Sequence, residues 1–147
     1  MKKLIFIAVA VLMLSSCVRD NFIFETNYVE PLYFTEFYKI HRSDWQRGND
    51  AIHGVHYWFE IRERALTRNV FERGIMQAFF IFDRGDREVI SPLPFSDFFV
   101  DDYGVRWEEQ ITVEFTIGYI TFIMKNSDQI HERPFFEYYE FMVRFLW

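Results

Sequence analysis

Apolar and polar residues alternate along much of this chain, with the period of a β-strand. From Val55 to Arg62, the residues Val55, Tyr57, Phe59 and Ile61 share one parity, and His56, Trp58, Glu60 and Arg62 share the other. Alternation of period two puts one set on each face of a half-buried strand. The same reading predicts strands over Leu32–His41, Ile75–Phe82, Glu88–Ser91, Tyr119–Lys125 and Phe135–Trp147. A long strand over Val105–Thr116 has Trp107, Ile111, Val113 and Phe115 on one parity. The ending Phe145-Leu146-Trp147 predicts a last strand buried within a sheet.

Between these runs lie turn and loop signals. Ser43-Asp44-Trp45-Gln46 reads as a turn that starts a further strand, and Gly48-Asn49-Asp50 reads as a loop. Asp83-Arg84-Gly85-Asp86 predicts a hairpin tip. Asp101-Asp102-Tyr103-Gly104, Gly118 and the segment Asn126–Pro134 mark further turns and loops. Ser91-Pro92-Leu93-Pro94-Phe95 is excluded from a central strand, because proline donates no ladder hydrogen bond. It is expected to be an edge or a crossing between sheets. One short helix is predicted over Thr67–Gly74, capped by Thr67 or Asn69, with Glu72 in its first turn and Gly74 as its stop. The sum is an all-β chain: an antiparallel β-sandwich of about seven to eight strands with one short helix.

The first residues depart from this pattern. Lys2 and Lys3 precede an apolar run from Leu4 to Leu14. That run is too short for a spanning helix, which needs about 20 residues, and has the form of a signal peptide. Leu14-Ser15-Ser16-Cys17 resembles a bacterial lipobox, in which the signal is cut before the cysteine and the thiol is acylated. Cys17 is the one cysteine of the chain, so lipidation also explains an odd thiol in an exported protein. The expected organisation is a signal over residues 1–16, a lipidated N-terminus and tether over 17–31, and a β-sandwich domain over 32–147. The chain is expected in the outer membrane or at the cell surface, held through Cys17 by two or three acyl chains (palmitate or similar).

Composition narrows the partners. Aromatics make up 21% of the chain, 19 of them Phe, which favours strands. With the two signal lysines removed, 14 Lys and Arg against 22 Asp and Glu leave a mature charge of −8. Such a chain is a poor nucleic-acid binder, because phosphate recognition rests on clustered cations.

Candidate chemistry is sparse. No serine sits in a Gly-x-Ser-x-Gly elbow, and phosphate and dinucleotide fingerprints are missing, so no catalytic residue and no cofactor are expected. His53 and His56 are spaced i, i+3, but a zinc site needs three or four ligands. No third ligand has recognisable spacing, so the histidines are expected at the surface and no metal is assigned. Of the acidic clusters Asp83/Asp86/Glu88, Asp101/Asp102 and Glu108/Glu109, the second is the better fit to calcium. Arg84-Gly85-Asp86 spells an adhesion tripeptide, although a hairpin tip favours glycine and charge on its own account. Trp45, Trp58 and Trp107 could stack on a sugar or anchor a protein, although aromatics this abundant are expected mostly to fill the core. Trp58 shares its parity with His56 and Glu60, and these three are the candidate ligand-binding residues.

The lipobox, Ser43-Asp44-Trp45-Gln46, Ser91-Pro92-Leu93-Pro94-Phe95, Trp107 with Gln110, Ser127-Asp128, Arg133-Pro134 and Arg144-Phe145-Leu146-Trp147 occur in that order. The series resembles small lipoproteins of Bacteroides-like bacteria, many of them labelled collagen-like. The resemblance covers roughly Tyr33 to Trp147 and implies a β-rich, membrane-anchored domain without an established activity. The chain departs from it over residues 18–31, which hold no glycine, and a collagen triple helix needs one at every third position.

Three functions follow in order of expectation. The first is a non-enzymatic envelope lipoprotein that contacts proteins, which an apolar surface patch would favour. The second is a carbohydrate-binding module, which a row of exposed coplanar aromatics would favour. The third is a hydrolase of unrecognised type, which a deep pocket with converging carboxylates or histidines would favour.

Overall fold

The computed structural model describes residues 32–100, 103–127 and 134–147. The signal, Cys17, the tether and the Asp101-Asp102 pair lie outside the described residues. Among the described residues nine strands form in chain order: β1 (Tyr33–His41), β2 (Gln46–Asp50), β3 (Gly54–Arg62), β4 (Ile75–Arg84), β5 (Arg87–Pro92), β6 (Phe95–Val100), β7 (Arg106–Thr116), β8 (Tyr119–Asn126) and β9 (Tyr138–Leu146). All paired strands are antiparallel. They make a four-stranded sheet, β1-β9-β4-β5, and a five-stranded sheet, β2-β3-β8-β7-β6. This is the all-β sandwich that the alternation predicts. The count exceeds the expected seven to eight because Gln46–Asp50 and Phe95–Val100 are both full strands.

The short helix α1 (Arg68–Arg73) lies where the sequence placed it. The Thr67 hydroxyl accepts from Val70 N, and Gly74 N donates back to Val70 O. Glu72 is not in the first turn but one turn further on, where it pairs with Arg68 at i, i+4. The proline segment behaves as its chemistry requires. Pro92 ends β5, the edge of the first sheet, and Phe95 begins β6, the edge of the second. The terminal strand β9 is central, paired on both sides by β1 and β4.

Aromatic rings close the sandwich. Phe122 on β8 and Phe141 on β9, from opposite sheets, stack with centroids 4.1 Å apart, and both are fully buried. Phe80 on β4 meets Phe95 on β6 at 5.2 Å and also touches Phe82, Phe136, Tyr139 and Phe141. Trp45, 7% exposed, packs edge-on against Tyr139. Trp107, 3% exposed, packs with Phe99 and Phe135. Two of the three tryptophans considered for a surface platform are therefore core residues. The hydrophobic effect claims them, since a fully buried aromatic side chain contributes about 1.5–3 kcal/mol.

One charged residue sits on the inner parity of β7. Glu109 is 2% exposed, next to Trp107 and Ile111. The expected Glu108/Glu109 cluster is thus split between the two faces of the sheet. Glu109 accepts from the Tyr139 hydroxyl at 2.9 Å and from Phe135 N at 3.2 Å. Burial pushes its carboxyl up to about 7, against the smaller opposing effect of these hydrogen bonds.

Candidate functional site

The β2–β3 hairpin carries the densest polar cluster. Its strands pair from Gln46↔Trp58 to Asp50↔Gly54, and Ala51–His53 form the turn. Gly54 closes the turn at φ +68°, a left-handed conformation that favours glycine. The Asp50 Oδ1 accepts from Ile52 N at 2.8 Å and His53 N at 2.6 Å. This turn chemistry is typical of aspartate, and it leaves Oδ2 free to face the rings. The hydrogen bonds from the His53 backbone and ring are the main reason the Asp50 carboxyl is held down, at about 2.

Three ligand-type atoms converge there. Asp50 Oδ2 lies 3.1 Å from His53 Nδ1 and 3.7 Å from His56 Nε2. The two imidazole rings lie with centroids 5.2 Å apart. Among the described residues, these form the one group of three His, Cys, Asp or Glu whose ligand atoms all fall within 4.8 Å of each other. The far nitrogens of both rings are tied to acceptors. His53 Nε2 is 3.0 Å from Glu114 Oε1 on β7, and His56 Nδ1 is 2.8 Å from Gly54 O. Strand β8 stands between β3 and β7 in the sheet, so the hairpin tip reaches across it.

Sequence reading expected surface histidines and no third ligand. His56 is instead buried, at 6% exposure, on the outer parity of β3. The reason is Gly48, directly opposite in the ladder: a Cβ there would stand 2.6 Å from His56 Nε2, so only glycine leaves room for the ring. Gly48-Asn49-Asp50 is accordingly strand and not loop. The missed signal was Asp50-x-x-His53-x-x-His56, in which an Asx turn brings the aspartate back to the histidines. Of the predicted ligand-binding trio, His56 is buried, Trp58 is half-buried and Glu60 is exposed, accepting from Thr121 Oγ1. Trp58 lies between Gln46 on β2 and Ile123 on β8. No row of exposed aromatics joins it on β2, β3 or β8, where its ladder neighbours are polar or aliphatic.

A second feature lies on the outer face of the four-stranded sheet. Register aligns Phe37, Met142, Phe79 and Pro92 across all four strands. Ile81 and Ile90 lie beside this row, and Tyr33, Leu146 and Ile75 form a parallel row nearer one end. Phe37 is 66% exposed and Ile75 59%. A shallow depression at that end is lined by Tyr33, Thr35, Ile75, Gln77, Arg144 and Leu146.

The Arg84-Gly85-Asp86 tripeptide occupies the β4–β5 tip, with Gly85 at φ +71°. Arg84 is drawn toward Asp97 Oδ2 at 3.4 Å and over the Phe82 ring. Of the remaining acidic cluster, Asp83 and Glu88 face each other across the same hairpin. Comparison of the chain with protein-family models, with curated proteins and with solved structures finds no match.

Proposed function

We propose that this chain is an exported lipoprotein, anchored at the outer membrane through Cys17, that works as a non-enzymatic protein-interaction domain. Its partner is an envelope protein with an apolar contact surface, and the contact face is the outer side of the four-stranded sheet. The observation that carries this reading is the apolar row Phe37–Met142–Phe79–Pro92, in which Phe37 stands 66% exposed, Met142 is buried, and the Arg144 guanidinium lies over the Phe79 ring. Sheets that end at solvent normally carry a polar outer face. An apolar patch of this kind marks an interaction surface, and aromatic side chains are the usual anchors of protein interfaces.

The anchor rests on the Leu14-Ser15-Ser16-Cys17 sequence and on the absence of any other cysteine in the chain. It is tested by feeding cells a clickable fatty acid. The parent chain takes up the label and sediments with membranes, and Cys17→Ser does neither. Label retained in Cys17→Ser would refute the anchor. The contact face is tested by a photo-reactive residue at position 37, which gives a discrete protein adduct in intact cells. The same residue at Arg87, on the neighbouring hairpin end, gives none.

A further inference from the structure

We propose that Asp50, His53 and His56 form a binding site for a divalent transition-metal ion of the zinc class, with the fourth position left to water. The donor set is two imidazoles and one carboxylate, which suits Zn2+ with an open coordination site. Ligand atoms at about 2.0–2.2 Å from a tetrahedral Zn2+ lie about 3.3–3.6 Å from each other. The distances here, 3.1 Å and 3.7 Å from Asp50 Oδ2, bracket that range.

The outer partners make the stronger argument. A ligating histidine commonly donates its other ring nitrogen to a carboxylate or backbone carbonyl, which fixes the tautomer and aims the lone pair. His56 Nδ1 donates to Gly54 O, and His53 Nε2 stands 3.0 Å from Glu114 Oε1, placed to do the same when its proton is on that nitrogen. In the tautomer protonated at His53 Nε2, the remaining nitrogens, His53 Nδ1 and His56 Nε2, both present a lone pair beside Asp50 Oδ2; without an ion, His53 Nδ1 can instead donate its own proton to that oxygen. That carboxylate is itself oriented by two backbone N–H donors on its other oxygen. All three first ligands are therefore held before any ion arrives. His56 Nε2 makes no hydrogen bond among the described residues, although the side chain is only 7% exposed. Asp50, at 46% side-chain exposure, leaves a path for the ion from solvent.

The alternative is a purely structural network in which a protonated His53 bridges Asp50 and Glu114. Variants separate the two. Asp50→Asn keeps the Oδ1 acceptor for the turn and replaces only the ligating oxygen. Glu114→Gln keeps a hydrogen-bond acceptor but weakens the support of His53. Gly48→Ala drives the His56 ring from its place. The chain, purified in detergent without a polyhistidine tag, is titrated with Zn2+ by calorimetry and with Co2+ by visible absorption. The site binds one ion per chain, with the intense visible bands of tetrahedral Co2+. Asp50→Asn and Gly48→Ala abolish measurable binding while far-ultraviolet circular dichroism stays that of the parent. Glu114→Gln weakens binding by about 10- to 100-fold, the usual effect of losing a carboxylate that orients a ligating histidine. A folded parent chain that binds neither ion overturns the proposal. So does Zn2+ binding of equal strength in the parent and in folded Asp50→Asn, which places the ion elsewhere.

Discussion

The Phe141→Ala variant unfolds with about 3–5 kcal/mol less stability than the parent chain, the usual cost of truncating a fully buried phenylalanine. That loss is a large share of the total, because domains of this size are stable by only about 5–15 kcal/mol. The position explains the size. Phe141 lies on the central strand β9, is fully buried, and stacks on Phe122 of the opposite sheet at 4.1 Å and 19°. It also meets Phe80 and Trp45. Removing the ring opens a cavity bounded by rigid rings from both sheets, and such walls collapse poorly. Urea unfolding of Phe141→Ala, Phe122→Ala and the double variant measures the effect. The double variant should lose less than the sum, with a coupling of about 0.5–1.5 kcal/mol from the ring pair. A loss below about 1 kcal/mol at Phe141 would mean that the two sheets do not close on this stack.

Stability should also fall as pH rises from about 4.5 to about 7, and Glu109 is the cause. Its carboxyl has an ordinary value of 4.5 and is pushed up to about 7 in the fold by burial. Between these values the native state holds a proton that the unfolded chain has released. The contribution is therefore fully present below 4.5 and is lost as pH climbs through about 7. A shift of this size corresponds to about 3 kcal/mol. Glu109→Gln stays neutral at every pH and keeps an acceptor for the Tyr139 hydroxyl. It should flatten the profile and be more stable than the parent above pH 7, with little difference near pH 4.5. Asp50 acts in the opposite sense and in another window. Its carboxyl is held down at about 2, so its contribution is lost only as pH falls below about 3.8. Chemical unfolding at half-unit steps from pH 4.5 to 8 reads the Glu109 window alone, since that of Asp50 lies below it. A parent profile that rises with pH across that interval would contradict the account of Glu109.

Much of the architecture was legible because strand periodicity is local. Val55–Arg62 and Val105–Thr116 show their faces in the residues themselves, and the two prolines at 92 and 94 announce a sheet edge without reference to anything distant. The central place of β9 in its sheet followed from its apolar ending, of which Phe145 is buried and Leu146 exposed. Strand β6 was less legible, because Phe98-Phe99-Val100 breaks the alternation that Phe95-Ser96-Asp97 begins. Glu109 was misplaced for a different reason. A carboxylate on an apolar parity is acceptable only if something distant receives it, and Tyr139 lies thirty residues away. The hairpin-tip cluster was hidden in the same way. His56 is buried because Gly48 faces it across the ladder, and Glu114 reaches His53 from a strand that pairs with neither arm of the hairpin. Register sets the two relationships within the five-stranded sheet, and the packing of one sheet on the other sets Tyr139 against Glu109; neither can be read from a single segment.

The proposed contact is between the outer face of the four-stranded sheet and a protein partner at the membrane. Its most direct test places a photo-reactive residue at position 37 in the parent chain and in Cys17→Ser, and compares their adducts in intact cells. The lipidated chain should give one discrete adduct with another envelope protein, lost when Phe79→Glu is added and much weaker from Cys17→Ser. An adduct of equal strength from both forms, an adduct only with a second copy of this chain, or glycan recovered in place of protein would contradict it.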